Sequence, residues 1–297
     1  METVSRLGVD VGGTKIAALV LDRQGEAVFT TRIDTPRTYE AVIEAVRGVV
    51  ETCAAACGGV ASVGIGMPGS ASPRTGLWRN CNMTFVNNRP FAAEMSKTLG
   101  RELRIENDAN CFALSEAVGG AGSGHAVVYA LTLGTGLGGG LVVDGRVRHG
   151  ARAVAAEIGH LPIVVPEGTT PTRCYCGGLG CAELYVSGTG MARDHREVTG
   201  EALSSPEIIA AMQAGDPRAR ATFARMTERL ARLVGALSNV LDPDVVVLGG
   251  GLSNVEGLVA AVEEAAPAYV FGREAAPPVV LAETQESGAR GAALLWP

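Results

Sequence analysis

A strand, a glycine turn, a threonine and a second strand occur twice in this sequence, and the repetition limits the folds open to it. The first copy is Val9-Asp10-Val11-Gly12-Gly13-Thr14 followed by the apolar run 16–21. The second is Leu131-Thr132-Leu133-Gly134-Thr135-Gly136 followed by the run 138–143. The flanking segments are short and apolar, and the glycines mark tight turns. A chain that opens two segments in this way is expected to form two related α/β halves. Its 297 residues suit two domains.

The intervening segments fit such halves. Tyr39, Val42, Ile43, Val46, Val49, Val50 and Cys53 recur at three- and four-residue spacing, one apolar face of a helix. Residues 27–31, 60–66, 103–106 and 244–248 read as strands, and 109–118 as a helix. Asp144-Gly145 is a hairpin signal, with a strand expected at 146–149. A long helix is expected over 217–241, another after Gly249-Gly250-Gly251, and a short final one over 288–295.

Composition narrows the function classes. Hydrophobic residues make up 47% and charged residues 19%, enough for a core and against disorder. The formal charge is −6 with no basic stripe, which excludes a nucleic-acid partner. No apolar stretch reaches the roughly 18–20 residues of a membrane span. No signal-peptide pattern opens the chain, so a cytoplasmic location is expected.

Four motifs carry candidate chemistry. In Asp10-Val11-Gly12-Gly13-Thr14-Lys15, a strand ending in glycines leaves backbone N–H groups free to cradle an anion. Thr14 adds a hydroxyl and Lys15 a cation, and Asp10 suits Mg²⁺; the plain alternative is a hairpin turn. Gly134-Thr135-Gly136 is its twin. No G-x-x-x-x-G-K-[ST] is present, so this is not a P-loop. Gly249-Gly250-Gly251 follows a buried-type strand, where it serves either a ligand's flat face or a close-packed turn. Asn107-Asp108 sits where a strand hands over to a helix. Asp108 there suits a base that takes a hydroxyl proton, beside an amide that holds a neighbouring hydroxyl; helix capping is the alternative.

The fourth motif joins Glu157-Ile158-Gly159-His160 to Cys174-Tyr175-Cys176-Gly177-Gly178-Leu179-Gly180-Cys181. His160, Cys174, Cys176 and Cys181 are a complete tetrahedral zinc set, which argues for a structural ion. A redox pair with a spare thiol is the other reading. The second ring nitrogen of His160, with Glu157 and Glu183 nearby, could meet a ligand hydroxyl. Loss of zinc is then expected to disturb the contacts of that segment with a ligand and not the glycine turns directly. His125, His149 and His195 lack such company and read as surface or core residues.

With these residues assembled, the chain resembles the ROK family of bacterial sugar kinases from Asp10 to the closing Gly288-Ala289-Arg290-Gly291-Ala292-Ala293. The most specific pieces are Glu106-Asn107-Asp108-Ala109-Asn110, the 157–160 segment and the Cys-x-Cys-Gly-x-x-Gly-Cys-x-Glu run at 174–183. Pro68-Gly69-Ser70, Thr75-Gly76, Asn82, Arg89-Pro90-Phe91, Leu241-Asp242-Pro243-Asp244 and 249–254 resemble the fructokinase branch. Residues 107–117 also resemble N-acetylglucosamine kinases.

The resemblance implies an actin-like or hexokinase-like (RNase H-like) duplicated α/β fold with an interdomain cleft. Residues 1–118 would form one domain and 119–285 the other, carrying a zinc segment at 157–183. The last helix, about 286–297, would pack back on the first. ATP would contact both glycine turns. By position, Asp108 matches the catalytic base; Gly69, Asn82, Asn107, Glu157, His160 and Glu183 match sugar contacts; and His160, Cys174, Cys176 and Cys181 match zinc ligands. The implied reaction is transfer of the γ-phosphoryl group of ATP–Mg²⁺ to the 6-hydroxyl of a hexose, fructose first. Glucose, mannose, N-acetylated hexosamines and kanosamine are the alternatives, and residues 70–91 and 150–172 are expected to shape the choice. A homodimer is common in the family. Sugar-responsive repressors of the family carry a helix-turn-helix before the first glycine motif, and here Asp10 lies ten residues from the start, with no such helix expected.

Overall fold

The computed structural model describes residues 5–162 and 171–297. Their elements are β1 (Arg6–Val11), β2 (Lys15–Leu21), β3 (Ala27–Asp34), α1 (Tyr39–Cys57), β4 (Ser62–Met67), β5 (Ser70–Ala71), β6 (Trp78–Arg79), α2 (Phe91–Leu99), β7 (Arg104–Asn107) and α3 (Asp108–Gly119). They continue as β8 (Val127–Leu133), β9 (Leu137–Val143), β10 (Arg146–Val147), α4 (Gly188–Thr199), α5 (Ser205–Gln213), α6 (Pro217–Leu241), β11 (Val245–Gly249), α7 (Leu258–Ala265), β12 (Val279–Leu281) and α8 (Ser287–Ala293).

The chain forms two compact units. Unit 1 takes in the residues up to Gly124 with Gly140–Ala155 and Glu283–Pro297; unit 2 takes in His125–Gly139 and Ala156–Ala282. One sheet has the order β3-β2-β1-β4-β7 and the other β10-β9-β8-β11-β12. Each runs third, second, first, fourth, fifth in chain order, so the repeat seen in the two glycine turns extends to the topology.

In unit 1, β2 pairs antiparallel with β1 and β3, and β1-β4-β7 run parallel. Parallel strands need both faces covered, and the strand period of two divides the cover. Leu7, Val9, Val11, Ile16, Ala18, Val20, Val63, Ile65 and Met67 join α1 and α2 in one core. Leu19 and Leu21 pack instead with Ala289 and Ala293 of α8. Thr38 caps the start of α1 by accepting from the Ala41 amide, and Gly58 closes it at φ 68°.

On its side of the sheet, α8 approaches the backbone itself. A Cβ at Gly8 would strike the Ala289 carbonyl, one at Gly64 the Ala292 carbonyl, and one at Gly291 the Cys111 carbonyl. Trp296 then donates from Nε1 to the Val63 carbonyl at 2.7 Å.

In unit 2, β11 runs parallel to both β8 and β12. The long α6 opens with Asp216 accepting from the Arg218 and Ala219 amides, and Asp242 ends it at φ 45°. Two sequence expectations shift. The strand expected over 146–149 stops at Val147, and a 3₁₀ turn, Gly251–Asn254, separates the third glycine turn from α7. Residues 163–170, part of the expected zinc segment and of the 150–172 specificity region, lie outside the described residues.

Candidate functional site

In unit 1 the pleat places the acidic residues. Asp10 follows Gly8 by two residues, so it faces the side of the sheet that α8 covers. It is in register with Gly66 of β4, which is in register with Glu106 of β7. The missing side chain at Gly66 makes room for Cys111, whose Sγ would stand 3.0 Å from a Cβ there. Burial pushes the Cys111 thiol well up, and the charges of Glu106, Asp10 and Asp108 add to it. The charges of three carboxylates therefore act on one buried thiol.

Asp108 is the first residue of α3. Asn107 caps the helix, its Oδ1 accepting from the amides of Ala109 at 2.9 Å and Asn110 at 3.4 Å. Its Nδ2 donates to the Gly69 carbonyl at 3.4 Å. The capping is thus done by Asn107, while Asp108 Oδ1 accepts from Ala109 N at 3.0 Å. Burial raises the Asp108 carboxyl above its ordinary range, against the pull of backbone amides. Asp10 is pushed up to about 6, first by burial and then by the charge of Asp108, with Lys15 opposing. A Cβ at Gly288 would lie 2.7 Å from Asp10 Oδ2, so α8 begins against this carboxylate.

The first glycine turn is anchored from β3 and the residues after it. Gly12 N donates to the Lys15 carbonyl at 2.9 Å and Thr35 Oγ1 to the Gly12 carbonyl at 2.7 Å. The amides of Gly13 and Thr14 have no partner among the described residues. Asn82 is exposed beside this turn, its Oδ1 3.8 Å from where a Gly13 Cβ would stand. Gly69 adopts φ 83°, and a Cβ there would collide with the Arg79 carbonyl, which restricts this position to glycine.

In unit 2 the second turn repeats the logic. Gly134 N donates to the Gly136 carbonyl at 3.0 Å, while the amides of Thr135 and Gly136 have no partner among the described residues. Gly188 N and Thr189 Oγ1, at the start of α4, donate to the carbonyls of Gly134 and Thr135. The third glycine turn lies alongside. Gly249 is in register with Thr132, and Gly250, at φ 88°, packs against the Leu133 carbonyl.

Glu183 sits under the same turn. Its Oε2 accepts from Leu137 N at 3.1 Å, and Gly159 approaches its side chain. Glu157 lies close enough to Tyr129 for its charge to add to the burial that pushes that phenol up. Because Glu183 is two residues past Cys181, the cysteine segment and the second glycine turn are mechanically joined. The expectation that metal loss would spare the glycine turns does not fit this contact.

His160, Cys174, Cys176 and Cys181 converge, with all four ligand atoms within 4.8 Å of one another. Cys176 Sγ and Cys181 Sγ are 3.6 Å apart, and His160 Nδ1 is 3.8 Å from Cys174 Sγ. Zn–S bonds of about 2.3 Å in a tetrahedron put sulfurs about 3.8 Å apart, so the spacing fits one ion. It is far from the roughly 2.05 Å of a disulfide. The other ring nitrogen, Nε2, faces the hydroxyl of Tyr175 at 3.1 Å.

A profile of the ROK family matches residues 6–297. The chain belongs to the ROK family. An N-acetyl-D-glucosamine kinase of Haemophilus influenzae is 37% identical over 97% of this ROK chain and 98% of its own length. Among solved structures, a ROK hexokinase from Thermus thermophilus superimposes with a TM-score of 0.87 at 36% identity, over 98% of this chain and 97% of that one. A ROK-family glucokinase from Streptomyces griseus, solved with glucose and AMPPNP, gives 0.76 at 32% identity, covering 98% of each. The fold is the actin-like α/β fold of these ROK proteins.

Two residues near Asp108 escaped the sequence reading of this ROK chain. Glu106 accepts from Asn107 N at 2.8 Å and Asn110 Nδ2 at 3.1 Å. His149, read as unremarkable in sequence, faces Glu106 Oε2 at 3.5 Å. The Glu106-Asn107-Asp108-Ala109-Asn110 spacing held the first signal; nothing local marks His149.

Proposed function

We propose that this ROK protein is an ATP-dependent kinase that phosphorylates the 6-hydroxyl of an N-acetylated hexosamine, with Asp108 as the base. Its class is that of its relatives, a sugar kinase acting on an alcohol group. One observation carries the role of Asp108: its carboxyl is fixed at the start of α3 and raised by burial, as a proton acceptor for a hydroxyl needs. Asn107, with one Nδ2 hydrogen on Gly69, would hold a sugar hydroxyl with the other. Gly69, Asn82, Glu157, His160 and Glu183 are further sugar contacts under this reading.

Unit 1 would offer the phosphates the free amides of Gly13 and Thr14 and the charge of Lys15, next to the Gly12 turn, with Mg²⁺ held through Asp10. Unit 2 would offer the nucleotide the amides of Thr135 and Gly136, beside Gly134, and the turn at Gly249 and Gly250, where Gly250 is exposed. Zinc on His160, Cys174, Cys176 and Cys181 would hold that loop in shape and supply no chemical step. We read the protein as cytoplasmic and homodimeric; no helix among the described residues is long and apolar enough to cross a membrane.

Fructose, the first expectation, has weaker support than an N-acetylated hexosamine, because the Haemophilus relative acts on N-acetyl-D-glucosamine at near full-length similarity. An ADP-release assay over N-acetylglucosamine, N-acetylmannosamine, glucose, mannose, kanosamine and fructose tests this. The highest kcat/KM should fall on an N-acetylated sugar; fructose or glucose in first place would overturn the substrate assignment while leaving the kinase class intact. Asp108→Asn should bind sugar with near-normal affinity and lose about 10²–10⁴-fold in turnover.

A further inference from the structure

Glu106 stands in the same row across the sheet as Asp10, two strands further along, and its side chain is only 15% exposed. A carboxylate held this far from water needs donors, and those it has bracket Asp108. Oε1 accepts from the backbone N–H of Asn107, the residue before Asp108, and from the side chain of Asn110, two residues after it. Oε2 faces His149. Asn107 in turn receives the amides of Ala109 and Asn110. The first turn of α3 is therefore closed by its own cap and tied to β7 by Glu106.

The state of Asn110 shows the strength of that tie. The residue is 4% exposed and its Oδ1 has no hydrogen-bond partner among the described residues. Turning the amide over would set Oδ1 against the Glu106 carboxylate, oxygen against oxygen. The observed orientation is the one Glu106 imposes, at the expense of a buried acceptor.

We propose that Glu106 is a positioning residue: by clamping Asn107 and Asn110 it sets where Asn107 and Asp108 point. Its catalytic consequence rests on the kinase reading above; the clamp itself rests on geometry within unit 1. Misplacing a reacting group by about 1 Å costs on the order of 10²-fold in rate, and outer-shell partners commonly contribute about 10–100-fold.

Three variants test this. Glu106→Ala removes both acceptor contacts. Glu106→Asp keeps the charge but shortens the reach to Asn110. Glu106→Gln keeps one acceptor oxygen at the right length. The Ala and Asp variants should lose about 10–100-fold in kcat, with a smaller rise in the sugar KM as Asn107 shifts, and the Gln variant should recover most of both losses. Amide hydrogen exchange at Asn107, Ala109 and Asn110 should quicken at least about tenfold in the Ala and Asp variants and not in Gln. Wild-type kcat and unchanged exchange in Glu106→Asp would overturn the proposal, as would a Gln variant as slow as Ala. If Ala does not fold, Asp decides. If the wild type phosphorylates nothing in the sugar panel, the kinase reading fails on its own, and the exchange measurements still decide the clamp.

Discussion

At the scale of single residues, the site works by denying groups their usual surroundings. Asp10 is the plainest case. Its carboxyl titrates near 6 in the folded chain, from an ordinary value of 3.8. Between those values the folded state holds a proton that the unfolded state has released. Stability from this residue is therefore full below about pH 4 and falls as pH rises through 6. Asp10→Asn should raise the melting temperature at pH 8 by several degrees, at about 2–4 °C per kcal/mol, and barely change it at pH 4. A scan giving the same shift at both pH values would show that the Asp10 carboxylate is not strained. Gly69→Ala should fail differently. The position needs φ 83° and has no room for a Cβ, so a loss of about 1–3 kcal/mol is expected in chemical denaturation. Sequence pattern singled out Asp108 because its neighbours carried the signal. It could not reveal that Gly12 and Gly134 spend their amides closing their own turns. That depends on how each chain reversal completes its hydrogen bonds, which residue types leave undetermined.

Elements were legible where a period ran long enough. The helix at Pro217–Leu241 was readable because its apolar face repeats over many turns and Asp216-Pro217 marks its start. The helix at Gly188–Thr199 was not, since Gly188 and Gly190 lie in its first turn, where local propensity argues against a helix. Ser187 overrides this by accepting from Gly190 N at 3.0 Å. The short α8 is a similar case in packing: no sequence rule says that Gly8 and Gly64 exist to meet it. Gly64→Ala should push α8 off the sheet, lowering the melting temperature by roughly 4–10 °C and shifting Trp296 emission to the red as its bond to Val63 breaks. An unshifted emission would place the strain elsewhere. Glu116 secures the other end of α3. Fully buried, it accepts from the amides of Ala121, Glu283 and Thr284 and from the Thr284 hydroxyl. Glu116→Ala strands those donors and should cost at least about 3 kcal/mol in urea unfolding.

For the whole molecule, composition and the doubled glycine turn pointed to a duplicated α/β chain, and the matched strand orders show it. What pattern could not supply was the tie through Glu183 that joins the cysteine loop to the second glycine turn. Stripping the proposed zinc should therefore weaken a non-hydrolysable ATP analogue as well as the sugar, both read by calorimetry. Sugar affinity lost alone would mean that the tie transmits nothing. The return of α8 to the first sheet bears on how the chain is made. At about 5–20 residues per second, the ribosome needs roughly 10–30 s to pass from Gly124 to Glu283. Throughout that interval the glycine-lined face of β1 and β4 lacks its cover, so this sheet is completed only by a helix synthesised long after its strands.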